Sequence, residues 1–172
     1  MASAIDILTD SFERVSGSLH RVLDGLDDDQ LTGRIDPEAN TIGWLVWHLT
    51  RGQDAQISDV AGTPQLWLED GWVDRFDLPF AANATGYAQS ADEVGQVAGV
   101  SATLLADYFD AVHARTLAYI ASLSDGDLDR VVDTNWDPPV TLAARLVSVV
   151  NDDVQHVGQA AFVKGVLARS QK

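Results

Sequence analysis

The sequence predicts an all-α protein, a four-helix bundle with a long aromatic-rich loop after its second helix. Four long segments carry apolar residues at helical spacing. The stretches between them contain the Gly, Pro and Asp clusters that end helices. No internal repeat or low-complexity tract indicates a solenoid or a linker. At 172 residues, the chain is expected to form one helical domain, 1–172, with a core that needs no cross-links.

The first helix is predicted over residues 5–26, where apolar residues recur at helical spacing. The acidic run 27–29 and then Pro37 break this pattern and predict a polar connection. Thr41 is the expected N-cap of the second helix, because its hydroxyl can accept a hydrogen bond from the first turn. Gly62 is expected near the end of that helix, where a left-handed backbone conformation favours glycine.

Residues 62–90 lack sustained helical periodicity but hold several large aromatic side chains among glycines and prolines. These are Trp67, Trp72, Phe76, Phe80 and Tyr87. Because so many rings cannot all remain in water, the segment is expected to fold back over the bundle, either as packing or as the wall of a pocket. We interpret Trp44, Trp47 and Trp67 as packing residues rather than a cofactor cage.

The second half of the chain predicts a short helix over 91–98, followed by a third major helix that Ser101 caps and whose apolar stripe extends to Leu123. An irregular stretch comes next, with residues 131–132 extended. The last helix is predicted over 141–167.

Composition and motifs exclude several classes of function. The 11 basic residues against 26 acidic ones give a formal charge of −15, which repels phosphate backbones and anionic lipids, so nucleic-acid binding is not expected. The chain has no cysteine, which removes disulfides, cysteine-ligated zinc and thiol nucleophiles. No run matches a serine-hydrolase elbow, a P-loop or a dinucleotide-binding fingerprint.

The sequence gives no reason to expect association with a membrane. No apolar run approaches the roughly 20 residues that a membrane span requires. The first ten residues lack the basic region of an export signal. A cytoplasmic location is therefore expected.

Three side chains of ligand type are predicted to point into one interior. On a helical wheel with Leu142 at zero, His156 lies about 40° and Asp152 about 80° from the buried stripe of the last helix. Their spacing of four residues makes them neighbours on that helix. His48 lies about 60° from Leu45, at the edge of the stripe of the second helix.

A divalent metal ion would satisfy the bonding requirements of His48, Asp152 and His156. Burying a carboxylate without a partner costs roughly several kcal/mol of folding free energy. Asp152 therefore requires a cation, a hydrogen bond or water. Two neutral imidazoles and one carboxylate leave a bound ion with net charge +1 and an open position, the composition of catalytic zinc sites. Zinc is the first choice, and nickel, iron or manganese can also fit.

Other readings of the same residues stay open. Asp152 and His156 can form an ordinary helical pair with His48 unrelated to them. Asp153 competes for the ligand role, because it falls nearer the centre of the stripe, and it can instead accept a hydrogen bond from a ligand histidine. His20 and His113 show no partner pattern, and both are expected on the surface or on a helix flank.

The segments Thr41–Leu49, T-I-G-W-L-V-W-H-L, and Asn151–Gln159, N-D-D-V-Q-H-V-G-Q, resemble the DinB-like superfamily. The resemblance covers nearly the whole chain and is closest to the actinobacterial branch, near the N-terminal metal-binding domain of mycothiol-dependent maleylpyruvate isomerase. It implies a DinB-like bundle and places the metal triad of the family on His48, Asp152 and His156. The chain departs from the family pattern at Asp152, where relatives usually carry His or Glu.

The resemblance also implies a function. Relatives use low-molecular-weight thiols such as mycothiol as cosubstrates, in S-transferase or isomerase reactions on a small electrophile, and often form homodimers. In this hypothesis the metal activates the thiol, Gln159 contacts the ligand or lies in the shell of residues around the metal ligands, and Arg51 holds a substrate carboxylate. No catalytic residue beyond the metal ligands is assigned. The alternatives are a metal-binding bundle without catalysis and a metal-assisted hydrolase.

Overall fold

The computed structural model describes residues 2–170 and confirms the all-α architecture. Four long helices form the bundle: α1 (Ala4–Leu23), α3 (Ile42–Ala61), α7 (Ala102–Ala121) and α8 (Leu142–Ser170). Four short helices lie between them: α2 (Asp28–Thr32), α4 (Leu66–Glu69), α5 (Trp72–Phe76) and α6 (Ala91–Val94). A 3-10 helix (Asp125–Asp129) and an antiparallel pair of strands, β1 (Val131–Asp133) and β2 (Val140–Thr141), precede α8.

Capping residues account for the ends of the long helices, as the sequence predicts. The Thr41 hydroxyl accepts a hydrogen bond from the Trp44 amide at 3.1 Å at the start of α3. Gly62 ends the same helix with φ 68° and ψ 34°, the left-handed region. Ser101 caps α7 through the Leu104 amide at 3.1 Å. These local interactions set the length of α3, which positions the candidate site.

The packing of the core defines the direction of the four long helices. One apolar cluster combines the start of α1, at Leu8 and Phe12, with the end of α3, at Ile57, and the end of α7, at Ile120. It also contains the first two turns of α8, from Leu142 onward. Helices α1 and α8 therefore run parallel to each other and opposite to α3 and α7. The main neighbours of α8 are α3 and α1.

Since α3 and α7 run in the same direction, residues 62–101 must cross back along the bundle. The rings of Trp67, Trp72 and Phe76 surround Tyr108 of α7, with ring centroids 5.3, 5.2 and 5.6 Å from it. These aromatic side chains are buried, so this part of the crossover serves as packing rather than as a pocket wall. Tyr87, by contrast, is 88% exposed.

The structure corrects the predicted boundaries in a few places. The first helix ends at Leu23 rather than near residue 26, and Gly25 follows it with φ 71°. The predicted connection after it contains α2, which Asp27 caps through the Gln30 amide at 2.8 Å. The aromatic-rich loop contains α4 and α5. Helices of four or five residues are too short to show a periodic apolar stripe.

Among residues 2–170, no helix combines the length and the apolar character that crossing a lipid bilayer requires.

Candidate metal centre

His48 on α3 faces Asp152 and His156 on α8. One ligand atom from each of the three side chains lies within 4.8 Å of the others. The imidazole centroids of His48 and His156 are 4.8 Å apart, and the Nε2 atom of His156 is 3.5 Å from Asp152 Oδ1. Segments about a hundred residues apart thus meet as the helical-wheel argument predicts. The cluster could hold a metal ion.

Hydrogen bonds define which nitrogen of each imidazole is available. The Nδ1 atom of His48 donates to the backbone carbonyl oxygen of Thr85 at 2.5 Å. A carbonyl oxygen can only accept, so Nδ1 carries the proton and Nε2 keeps its lone pair. In His156, Nδ1 lies 3.4 Å from the amide oxygen of Gln159, which favours the same tautomer. Metal-binding histidines typically have such an acceptor on the nitrogen that does not bind the ion.

The three side chains are half-buried, so the cluster is open on one side. The His156 side chain is 17% exposed and the Asp152 side chain is 43% exposed. His48 is also of intermediate burial. Of the two residues on α8, Asp152 is the more accessible to solvent. A set of three protein ligands with one accessible side is typical of catalytic rather than structural zinc.

Without an ion, mutual contacts and burial shift the pKa values of the three side chains in different directions. The hydrogen bond from His156 lowers the pKa of Asp152, and the same partner raises the pKa of His156. Burial lowers the pKa of His48. A metal ion would therefore compete with a proton more strongly at His156 than at His48.

Trp44 is buried in the core, in agreement with its interpretation as a packing residue, and its ring also contacts the metal-ligand candidates. Its indole stacks on the His48 imidazole, with centroids 4.6 Å apart and planes 13° from parallel. The ring also meets His156 edge-on at 6.3 Å, and its Nε1 donates to Gln89 Oε1 at 2.7 Å. The signal in the sequence was the spacing of four residues between Trp44 and His48, which makes them neighbours on one helix face.

Asp153, the competing ligand candidate, lies outside the cluster. Only 1% of the residue is exposed, and its carboxylate oxygens have no hydrogen-bond partner among residues 2–170. Burial raises its pKa well above the ordinary value. The helical wheel correctly placed Asp153 at the centre of the buried stripe. That central position is the reason why it points into the core rather than toward His48.

The two residues predicted to contact a ligand have different surroundings. Gln159 is exposed, one turn beyond His156. Arg51 is completely buried, so its placement differs from the expected contact with a substrate carboxylate. Its guanidinium donates to the Ala84 carbonyl at 3.2 Å and to Gln65 Oε1 at 2.9 Å. These bonds tie the crossover to α3 near its start, at Gln65, and again at Ala84.

The other two histidines lie between α1 and α7. His20 is exposed, as expected, and is 2.9 Å from Asp110 Oδ1. His113 is buried, with 8% exposure, which corrects the prediction of a position on the surface or on a helix flank. Its ring stacks on Phe109 at 5.5 Å, one turn earlier on α7, and therefore belongs to the core face of that helix.

The comparisons with known proteins agree with this architecture. A family model described as the DinB superfamily matches residues 11–160. Among solved structures, the chain is similar to the crystal structure of a conserved protein from Enterococcus faecalis, at 29% sequence identity and a TM-score of 0.89. That similarity covers 95% of this chain and 96% of the other. No curated protein matches the sequence.

Proposed function

This chain belongs to the DinB superfamily, and we propose that His48, Asp152 and His156 bind a divalent metal ion that serves a thiol-dependent transferase or isomerase reaction. The observation that carries the proposal is the orientation of the two imidazoles. Both Nδ1 atoms face oxygen acceptors, at 2.5 Å for His48 and 3.4 Å for His156. His48 Nε2 thereby keeps its lone pair for an ion, and His156 Nε2, 3.5 Å from Asp152 Oδ1, would bind the ion in exchange for a proton.

The donor set supports zinc as the first candidate. Two neutral imidazoles and one carboxylate supply three ligands and leave a fourth position for a small molecule. Nickel, iron and manganese accept the same donors, since nitrogen and oxygen ligands do not separate them. The exposed side of the cluster, next to Asp152, is where the small molecule would approach.

The proposed chemistry requires a thiol from outside the protein, because the chain has no cysteine. The bound ion would supply Lewis acidity, which lowers the pKa of a thiol and favours the nucleophilic thiolate. In a transfer, the thiol loses its proton to solvent, a sulfur–carbon bond forms, and the leaving group of the electrophile departs with its electron pair. In an isomerisation, the sulfur–carbon bond forms and later breaks. Mycothiol is the first thiol to test.

The surrounding residues would hold the ligand set in place. Trp44 stacks on His48 while the Thr85 carbonyl anchors its Nδ1 atom, so the ring is restrained from two sides. Gln159 orients His156 through its amide oxygen. A rigid set of ligands reduces the reorganisation that metal binding would otherwise require.

The metal can be tested by elemental analysis of protein purified without added metal. We expect about one divalent ion per chain, in accordance with a site of three protein ligands. His156→Ala should lose the ion, whereas His20→Ala, which removes an exposed histidine paired with Asp110, should retain it. Equal metal content in the two variants would contradict the proposed ligand set.

The reaction class can be tested separately on the metal-loaded protein. We expect consumption of an electrophile from a panel only when a low-molecular-weight thiol is present, and loss of this activity in His156→Ala. Turnover that proceeds equally well without thiol would instead indicate a metal-assisted hydrolase. Stoichiometric metal without turnover of any electrophile would indicate a binding module.

A further inference from the structure

A groove of about 550 Å³ lies between α1 and α8, and we call it the α1–α8 groove. It is on the opposite side of α8 from the candidate metal centre. Val154 and Gly158 line the groove, and each is two residues, about 200° of helix rotation, from His156. The volume of the groove falls within the range of small-molecule sites, roughly 300–1,000 Å³. The groove is therefore a second candidate binding site, separate from the metal cluster.

The body of the α1–α8 groove is apolar. The buried side chains of Val15, Val22 and Val157 line it, and Val154 is 50% exposed at its edge. Helix α8 has no side chain at Gly158, where a Cβ atom would meet no other atom within 4 Å. The space between the two helices is therefore open and bordered by valines, which fits an aliphatic chain.

The charge of the groove is opposite to that of the whole protein. Arg14, Arg21 and Lys164 line it, and they are three of the 11 basic residues in a chain with a formal charge of −15. Among residues 2–170, no acidic side chain lines the groove. A cleft lined by charges of one sign concentrates ligands of the other sign. The groove therefore favours an anion.

The guanidinium of Arg21 is positioned to receive that anion. Its Nη2 atom donates to Ser18 Oγ at 3.0 Å, and its Nη1 atom is 3.4 Å from the Cβ position of Gly17. The side chain thus extends back along α1 toward Arg14, and within residues 2–170 it has no carboxylate partner. Arg14 pairs with Asp10, but both side chains are exposed, so this pair contributes little. A guanidinium can bind a carboxylate through two parallel hydrogen bonds.

Lys164 lies at the end of the groove formed by the last turn of α1. Its Nζ atom donates to the backbone carbonyl oxygens of Arg21, Val22 and Asp24 at 3.0, 2.8 and 2.7 Å. Carbonyl groups at the end of a helix lack partners within that helix. Because an ammonium group has three donors, these bonds use all of them. Lys164 therefore adds a fixed positive charge, while Arg21 provides the free donors.

We propose that the α1–α8 groove binds a small aliphatic monocarboxylate, with the carboxylate on Arg21 and the chain along the valines. The carboxylate supplies the acidic partner that Arg21 lacks, and the chain covers Val154 and the open space beside Gly158. The proposal goes beyond the proposed function, because the groove shares no lining residue with the His48–Asp152–His156 cluster.

The test is calorimetric titration of the purified protein with butanoate, hexanoate, octanoate and 1-octanol. We expect one octanoate per chain, and a dissociation constant that falls about fourfold with each methylene added to the carboxylate. 1-Octanol has the chain without the charge and should bind about 10- to 100-fold more weakly than octanoate. A dissociation constant that is independent of chain length, or equal for octanoate and 1-octanol, would overturn the inference.

Repeating the titration after removal of metal with a chelator distinguishes the groove from the metal cluster, because carboxylates also bind metal ions. Octanoate should bind equally well to the metal-free protein. Binding that disappears with the metal would place the carboxylate at the cluster and overturn the inference, while supporting the proposed metal site. A protein that contains no metal but binds octanoate would contradict the proposed function and support the groove.

Arg21→Gln should weaken octanoate binding about 10- to 100-fold, because it removes the charged hydrogen-bond donors. Arg169→Gln is the matched control, since Arg169 is exposed on α8, does not line the groove, and loses the same charge. Equal affinities in the two variants would show that only the net charge matters and would overturn the inference.

Gly158→Leu should also reduce octanoate binding, because its side chain would occupy the open space in the groove, whereas His20→Ala, outside the groove, should not. Sedimentation of the same proteins tests the other possible occupant, a second copy of this chain. If octanoate does not bind and Gly158→Leu changes the sedimentation coefficient, a second copy covers the groove and the inference is wrong.

Discussion

Gly86 lies directly against the imidazole of His48. A Cβ atom at Gly86 would be 2.6 Å from His48 Nδ1 and 3.1 Å from the ring of Trp47. The backbone at Gly86 has φ +92°, which side chains disfavour. The preceding residue, Thr85, gives its carbonyl oxygen to the same Nδ1 atom. Glycine therefore allows the close approach of backbone and ring that orients His48.

Gly86→Ala is expected to weaken metal binding about 10- to 100-fold, the usual effect of losing the partner of a ligand histidine. The added methyl group must displace either the ring or the Thr85 carbonyl. Affinity can be measured by competition with a chromophoric chelator. Gly25→Ala is the matched control, because Gly25 also has positive φ, at +71°, but has nothing within 4 Å of its Cβ position. Equal affinities in the two variants would contradict the role of Gly86.

Asp152→Glu is expected to retain metal and Asp152→Asn to lose it. The resemblance to the DinB-like superfamily implies His or Glu at this position, and the side chain lies beside Gly52, whose Cβ position is 3.8 Å from Asp152 Oδ2. Gly52 presents no side chain to that carboxylate, which favours accommodation of the extra methylene of Glu. An amide removes the negative charge that the ion would share with two neutral imidazoles. Metal content after dialysis is the measurement. An Asn variant that binds as tightly as the Glu variant would show that the carboxylate is not a ligand.

Much of this arrangement could be predicted because it depends on local patterns. Thr41, Gly62 and Ser101 set helix ends through contacts within four residues. Asp152 and His156 are neighbours on a single helix, so their common orientation follows from the helical period alone. His48 lies at the edge of an apolar stripe that must face the same core. The convergence of the three side chains follows from these separate constraints.

The rest of the candidate site depends on the path of the crossover, which no periodic pattern in the sequence predicts. Arg51 and Asp54 hold the crossover on α3, and the Arg51 bond to the Ala84 carbonyl lies directly before Thr85 and Gly86, which reach His48. Asp54 accepts hydrogen bonds from the backbone amides of Leu66 and Trp67, at 3.0 and 2.9 Å. Such long-range bonds between a helix and an irregular segment leave no regular spacing. The same lack of a regular spacing explains why the sequence does not indicate that Arg51 is buried against the crossover.

Arg51→Met is expected to lower the free energy of unfolding by about 3–5 kcal/mol, the usual cost of breaking a buried ion pair. The guanidinium is 3.4 Å from Asp54 Oδ2 and 3.2 Å from the Tyr108 hydroxyl, and all three side chains are buried. Urea unfolding of the metal-free protein gives the measurement. Arg14→Met, at an exposed pair with Asp10, should cost only about 0–1 kcal/mol. An Arg51 variant as stable as the Arg14 variant would indicate that Arg51 serves ligand binding instead.

His113→Phe is expected to make the protein less sensitive to mild acid. Burial lowers the pKa of His113 below its ordinary value of 6.5, even though Glu13 at 3.6 Å and Asp110 act in the opposite direction. As the pH falls through 6.5, the unfolded chain binds a proton that the folded protein does not, so stability decreases toward the lowered pKa. Phenylalanine keeps the stacking on Phe109 and removes this linkage.

Urea unfolding between about pH 8 and pH 5, with a chelator present, tests this expectation. The free energy of unfolding of the unmodified protein should fall more steeply with decreasing pH than that of His113→Phe. At the alkaline end of this pH range, His113→Phe should be at least as stable as the unmodified protein. The reason is that neither nitrogen of His113 has a hydrogen-bond partner within residues 2–170, so the substitution removes no hydrogen bond. The chelator leaves the metal cluster in the same state in both proteins, so the difference between the two curves isolates His113. Parallel curves would show that the ring takes up its proton equally well in the folded and the unfolded chain.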